Sequence, residues 1–267
     1  MPLIRGARRL GDPAVIDLHS HVLPGVDDGA ADLEGSLDIL RAAAEDGIEK
    51  LAATPHVRHD HPTRVETMER LVDEVNVAAR AAGIAVEVLR GGELDLEKLD
   101  ELGEGELRRF GLGGNPRLLL VEFPYVGWPV DLRERVFQLA ARGYEVVLAH
   151  PERNAEVQGR PERLRPFVDA GVWVQLTAAS VDGRLGRRPE ACARALLDAR
   201  LAHLIASDAH APAIRAIGMS SAVEAVGDDA LGAWLTSEVP RALVDGEAVP
   251  SRPERRRRRR LSLRHRN

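Results

Sequence analysis

Cysteine is almost missing from the 267-residue chain. The one thiol, Cys192, has no partner for an intramolecular disulfide, which suits a reducing compartment. Its setting also excludes thiolate-based phosphoester hydrolysis, which needs a cysteine at the mouth of an anion-binding loop and an arginine six positions later. Cys192 lies instead in the helical pattern PEACARALLDA, and Asp198 stands at that sixth position. Aromatic residues make up only 3% of the chain, which gives no hint of a base-stacking surface. No apolar run approaches the ~18 residues that cross a bilayer. The opening MPLIRGARRLGDP is basic but carries no apolar segment of signal-peptide length, so a cytoplasmic protein is expected.

The net charge of −5 conceals an asymmetry. From Arg252 onward there are nine arginines and one glutamate; the rest of the chain holds 28 basic against 41 acidic residues, a net of −13. Such an acidic body repels polyanions except where cations or local arginines reverse the field. The last stretch, PSRPERRRRRRLSLRHRN, is of low complexity, and a solvated arginine run is its default reading. Contact with an anionic membrane surface or with nucleic acid is the functional alternative. Residues 1–14 read as a loose arm, 15–250 as one domain and 251–267 as the basic tail.

Within that domain one pattern repeats. The apolar run Val15 to Leu18 reads as a buried strand that delivers His19 and His21 before a turn through Pro24, Gly25, Asp27, Asp28 and Gly29. A helix then stops at Gly47, and KLAATPH forms a strand ending in His56. After a second helix comes IAVEVLRGGELD, a strand presenting Glu93, and after a partly helical excursion from Leu94 to Pro116 comes RLLLVEFP, apolar until Glu122. A helix from Pro129 to Arg142 leads to YEVVLAHPERN, which ends in His150. The helix GRPERLRPFVDAG, the strand VWVQLTAAS, the helix RRPEACARALLDARL and the strand HLIASDAH complete the series at Asp208 and His210. Seven strands alternating with helices imply parallel pairing, and parallel pairing puts all their carboxyl ends on one face. A length of 267 suits a single α/β barrel, and in barrels that face carries the site.

The converging set is His19, His21, His56, Glu93, Glu122, His150, Asp208 and His210. Each alone is readily explained as a polar loop residue. Together, imidazoles and carboxylates without lysine are what divalent transition ions select, and a carboxylate between two ions can bridge them. Eight groups exceed the needs of one ion and fit two or three.

The segments HSHVLPGVDDGA, ATPH, GGE, EFP, LAHPERN, QLTAAS and SDAH, in this order, resemble the polymerase and histidinol phosphatase (PHP) superfamily, and more closely its bacterial protein-tyrosine phosphatase branch of capsular and exopolysaccharide synthesis. The resemblance spans roughly Val15 to Ala216. It implies a distorted (β/α)7 TIM-like barrel and a trinuclear site, usually of manganese, with Zn2+, Fe2+ or Mg2+ as other occupants. It implies hydrolysis of phosphotyrosine on the tail of a bacterial tyrosine kinase. Position by position it makes the eight residues above the ligands and makes Arg153 and Arg215 the phosphate binders. His56 is a candidate proton donor, and Asp28 matches an aspartate near the metals. The chain departs from the pattern at Val57, where relatives often carry a second histidine, and at Ala179, where glycine is usual.

The chemistry of the residues agrees. Two ions about 3.5 to 4 Å apart lower the pKa of a shared water and neutralise phosphoryl oxygens. Arginine forks grip those oxygens in a way lysine cannot reproduce. Without the motif around it, Arg153 would be read as a salt-bridge partner of Glu152 or another carboxylate. Histidinol phosphatase, a PHP-type nuclease and a non-catalytic phosphotyrosine-binding regulator are the competing readings.

Overall fold

Apolar runs bounded by glycine and proline become short parallel strands, and amphipathic stretches become the helices between them. A computed structural model describes residues 14–211 and 216–254. The strands are β1 (Val15–Ser20), β2 (Ile48–Ala53), β3 (His56–Val57), β4 (Glu87–Leu89), β5 (Glu93–Asp95), β6 (Leu118–Glu122), β7 (Glu145–Leu148), β8 (Trp173–Thr177) and β9 (Leu204–Ala206). They form two runs of parallel neighbours, β1-β2-β4 and β3-β5-β6-β7-β8-β9. The sheet curls until its last strand reaches its first. Ser20 bridges Ala209 in parallel, and the His21 N–H donates to the Ala209 carbonyl at 2.8 Å. The fold is therefore a mixed α/β architecture around a curled parallel sheet.

Two of the seven expected strands are interrupted. KLAATPH breaks at Thr54–Pro55 into β2 and β3, because Pro55 has no N–H for the ladder. IAVEVLRGGELD breaks at Arg90–Gly92 into β4 and β5. A Cβ on Gly92 would stand 2.7 Å from the Phe110 ring, and one on Gly91 would stand 3.2 Å from the Ala53 carbonyl, so close packing requires both glycines. The VWVQLTAAS strand ends at Thr177, and Ala178–Val181 is already helical. The segment expected as one helix after Gly159 is a 3-10 turn, Pro161–Leu164, followed by one α turn, Arg165–Val168. Pro161 and Pro166 each remove a backbone donor that a longer helix would use.

The helices before β2 and β4 follow the expected spacing. In Leu33–Glu45 the buried residues Leu37, Leu40 and Ala43 share a face, Asp32 caps Gly35 N–H, and Gly47 follows at φ +83°. In Val65–Ala81 the buried face is Val65, Met68, Val72, Val75 and Ala79. The helix from Leu132 to Ala141 starts three residues later than expected. After β9, short helical segments from Met219 to Asp245 pack beneath β1 and β9, and Trp234 Nε1–H donates to the Pro250 carbonyl at 2.8 Å. No described helix is long and apolar enough to cross a membrane. Most of the arm, Arg215 and the arginine run from Arg255 lie outside the described residues.

β1 shows how the fold positions the site. Ile16 and Leu18 face the helices, while Asp17 and His19 alternate to the other side, and all four are buried. Asp17 ties the first and last strands together. Its Oδ1 accepts from the backbone N–H of His19 (3.2 Å) and of Ser207 (2.9 Å). Burial without a partner for Oδ2 pushes its carboxyl up to about 6 despite those bonds.

Candidate metal centre

All eight converging residues meet in one buried cluster at the carboxyl ends of the strands. His19 is the last residue but one of β1 and His21 follows the strand; His56 opens β3, Glu93 opens β5 and Glu122 closes β6. His150 follows β7, and Asp208 and His210 follow β9. None is more than 5% exposed. Glu93 sits centrally. Its Oε1 lies 2.8 Å from His150 Nε2 and 3.4 Å from His19 Nε2, and its Oε2 lies 2.8 Å from His56 Nδ1 and 3.4 Å from His21 Nε2. Asp208 Oδ1 lies 3.4 to 3.5 Å from nitrogens of His19, His21 and His210. Asp28, half-exposed at the mouth, reaches His56 Nε2 at 3.4 Å and His210 Nε2 at 3.2 Å.

These atoms form four overlapping groups, each with its donor atoms within 4.8 Å of one another: His21, Asp28, His56 and His210; His19, Glu93 and His150; His19, His21 and Asp208; and His56, Glu93 and Glu122. The donor set fits cations for a second reason. His19 Nε2, His21 Nε2, His56 Nδ1 and Glu93 Oε2 are buried without a hydrogen bond of good geometry, although the last two lie 2.8 Å apart. A buried polar atom left so costs about 1–3 kcal/mol, and four together are sustained only where something else satisfies them.

Second contacts fix how the rings present themselves. His21 Nδ1–H donates to Asp27 Oδ2 at 2.7 Å, His19 Nδ1–H to Gln175 Oε1 at 3.0 Å, and His210 Nδ1–H to the Asp208 carbonyl at 2.9 Å. Each bond selects the tautomer that turns Nε2, with its lone pair, into the cluster. Asp27 does more. It accepts from the N–H of Gly29 at 3.0 Å and of His56 at 3.1 Å, so one carboxylate clamps two strand ends. Burial opposes its ionisation, yet His21 and these N–H groups hold its carboxyl below the ordinary range. Asp27→Asn is expected to weaken divalent-ion affinity by about 10- to 100-fold while the fold persists, measured by titrating stripped protein with manganese. Unchanged affinity would show that the clamp is dispensable.

The electrostatics suit cation binding. Burial keeps His150 neutral, pushing it down to about 4, and the neutral ring is the ligating form. Burial, with the neighbouring Glu93 charge, pushes Glu122 up to about 8, a cost that a cation reverses. Glu93 and Asp208 stay well below the ordinary carboxylate range: burial opposes this, and the surrounding histidines overcome it. His150 and Asp208 also hold positive φ, 33° and 53°, a conformation that non-glycine residues rarely adopt. Among the described residues the third such position, Arg200, lies away from the cluster, after the helix Arg187–Asp198.

Around the mouth, Arg153 Nη1–H donates to Asp208 Oδ2 at 2.7 Å, and its guanidinium lies 4.5 Å over the Tyr125 ring. It does not pair with Glu152, which turns inward to accept from Thr177 N–H at 2.9 Å. Arg58 stands 3.7 Å from Glu122, and the His61 ring stacks 5.8 Å from His56. His59 points away to Glu101. His203 accepts from Val174 N–H as a structural side chain, and burial pushes the Cys192 thiol up to about 12, far from a thiolate. Sequence reasoning missed Asp27, Gln175, Arg58 and Tyr125. For Asp27 a signal existed, since an acidic pair before glycine beside H-x-H has two carboxylates to place; for the others tertiary contact alone decides.

Comparison with known proteins gives concordant matches. The family profile described as "Capsular polysaccharide synthesis, CpsB/CapC" matches residues 15–235. The tyrosine-protein phosphatase YwqE of Bacillus subtilis is 33% identical over 199 residues, 73% of this chain and 77% of YwqE. The putative tyrosine-protein phosphatase CapC of Staphylococcus aureus is 29% identical over 198 residues, with the same shares covered. A crystal structure from work on YwqE of B. subtilis and CpsB of Streptococcus pneumoniae, described as unique metal-dependent tyrosine phosphatases, superposes with a TM-score of 0.78 at 29% identity, covering 90% of this chain and all of that one.

Proposed function

Because the chain belongs to the CpsB/CapC family of capsular polysaccharide synthesis, we propose that it is a metal-dependent phosphomonoesterase that removes phosphate from tyrosines of a protein substrate, the tail of a bacterial tyrosine kinase. The observation that carries this reading is the buried cluster itself, in which donor atoms on His19, His21, His56 and Glu93 lack a hydrogen bond of good geometry and are aimed at one another. We assign His19, His21, His56, Glu93, Glu122, His150, Asp208 and His210 as ligands to two or three divalent ions, manganese first among them, with Asp28 at the open side. The architecture is read as a distorted (β/α)7 barrel in which β2 with β3, and β4 with β5, count as one strand each. A cytoplasmic location fits the expected kinase partner.

Bound ions would supply Lewis acidity and a nucleophilic water at neutral pH. The chain's own residues do the rest. Arg153, fixed on Tyr125, offers its remaining N–H donors to phosphoryl oxygens, and Arg215, outside the described residues, is proposed as a second phosphate binder. Buried walls around Glu93 and His150 exclude bulk water and strengthen each charge interaction. The departing phenolate, of conjugate-acid pKa near 10, needs less protonation than an alkoxide, so help from His56 is secondary.

Stripping the protein with a chelator and restoring manganese tests this directly. A phosphotyrosine peptide, histidinol phosphate and single-stranded DNA are offered in parallel. Turnover of the peptide that vanishes on stripping and returns with manganese is expected; turnover confined to histidinol phosphate or DNA, or binding of the peptide without turnover, would replace the proposal with one of its competitors.

A further inference from the structure

The mouth of the cluster contains an arrangement that metal binding does not account for. The Arg153 guanidinium carbon lies over the Tyr125 ring, 4.5 Å from its centroid, while Nη1–H reaches Asp208 Oδ2 at 2.7 Å. The same tyrosine ring stands 5.7 Å from that of His150. Stacking engages the face of a guanidinium and leaves its edge donors available. A side chain held this way keeps its orientation without consuming the N–H groups that recognise an oxyanion.

The support under the stack is equally specific. Asn154 Nδ2–H donates to the carbonyls of Pro124 at 2.6 Å and Gly127 at 2.8 Å, one on each side of Tyr125. The Ala155 N–H donates to the Tyr125 carbonyl itself at 2.8 Å, and Asn154 Oδ1 accepts from the N–H groups of Glu156 and Val157. The loop that bears Tyr125 is thereby tied on both flanks to the turn that bears Arg153. Tyr125 also lines, with Arg58 and the cluster residue Glu122, a cavity of about 360 Å³.

From this geometry we propose that Tyr125 is a positioning residue. It holds the Arg153 fork in the plane in which its edge donors meet the substrate phosphate, and it keeps the fork there when the contact with Asp208 loosens. The inference rests on Arg153 being a phosphate binder, as proposed above. It gives the tyrosine no contact with the reacting atoms. Orientation should then follow the stacking strength of the side chain, in the order Trp, Tyr and Phe, then Leu, with the hydroxyl, which faces Glu122, secondary.

The test uses full-length, manganese-loaded protein and inorganic phosphate as the probe. Phosphate affinity is measured by calorimetry for the wild type, Tyr125→Phe, Tyr125→Trp, Tyr125→Leu and Arg153→Ala, with metal content and thermal midpoint recorded for each. Tyr125→Leu is expected to weaken phosphate binding about tenfold at unchanged metal content, while the Phe and Trp variants stay within about threefold of wild type. KM for a phosphotyrosine peptide should rise in parallel with the phosphate Kd, and kcat should change less. Equal affinities for the Phe and Leu variants would overturn the positioning role, whichever way both moved. Should Arg153→Ala bind phosphate as well as wild type, the reading of Arg153 fails first; should it bind more weakly while Tyr125→Leu does not, only the role of Tyr125 fails.

Discussion

Glu93→Gln is expected to lower the turnover of a phosphotyrosine peptide by at least about 10³-fold and to reduce the bound manganese by one ion or more per chain. The reason lies in where this carboxylate sits. Its two oxygens contact four imidazoles, those of His19, His21, His56 and His150, and so tie together histidines at the ends of β1, β3 and β7. The amide keeps the shape but carries no charge, and one of its two ends becomes a donor facing imidazole nitrogens. Metal analysis of the variant, alongside a steady-state assay at saturating manganese, checks both parts. A variant that keeps full metal content and loses less than tenfold in activity would remove Glu93 from the centre of the site.

Gly29→Ala is expected to be among the most damaging single methyl additions at the described glycines. A Cβ at this position would stand 2.0 Å from the His21 carbonyl oxygen and 2.4 Å from the His21 Cβ. Neither is the movable end of a long side chain. The loop would have to lift away, taking with it the Ala30 N–H bond to the His21 carbonyl and the Asp27 clamp on the His21 ring. Overpacking of this kind costs about 1–3 kcal/mol in ordinary cores and more where backbone is displaced. Thermal unfolding of the stripped protein reports that cost. A manganese titration of the same variant should show weaker binding still, because the His21 nitrogen that faces the cluster is displaced. An unchanged midpoint and unchanged affinity would mean that the turn relaxes without disturbing the histidine.

The sequence makes legible whatever is written in periodicity and in strand ends. An apolar run closing on a histidine or carboxylate states both where a strand stops and what it presents, which is why Glu122 after Leu118–Val121 and His150 after Val146–Leu148 stand where the pattern puts them. What stays hidden is set by contacts between distant segments. Gln175 stands between Val174 and Leu176 in β8, and its bonds to the His150 N–H and the His19 ring exist only once β7 and β1 are brought to it. The breaks at Pro55 and at Gly91–Gly92 were visible as residues but not as interruptions, because a proline or glycine in an apolar run is also tolerated at an edge or bulge. Tyr125 carries no periodic signal at all. Its place is fixed by Asn154, 29 positions later, through the bonds to Pro124 and Gly127.

The bridge between Ser20 and Ala209 has a bearing on biosynthesis. Donors contributed at positions 19 and 21 wait, as the polypeptide leaves the ribosome, for those at 208 and 210. A cation held by the proposed ligands would act as a clasp across 191 positions of the chain, from 19 to 210, joining the end of β1 to the turn after β9. Release from that clasp should begin where the two ends meet, so hydrogen exchange in ion-free protein is expected to rise first around residues 15–21 and 204–210 and only later in the middle strands.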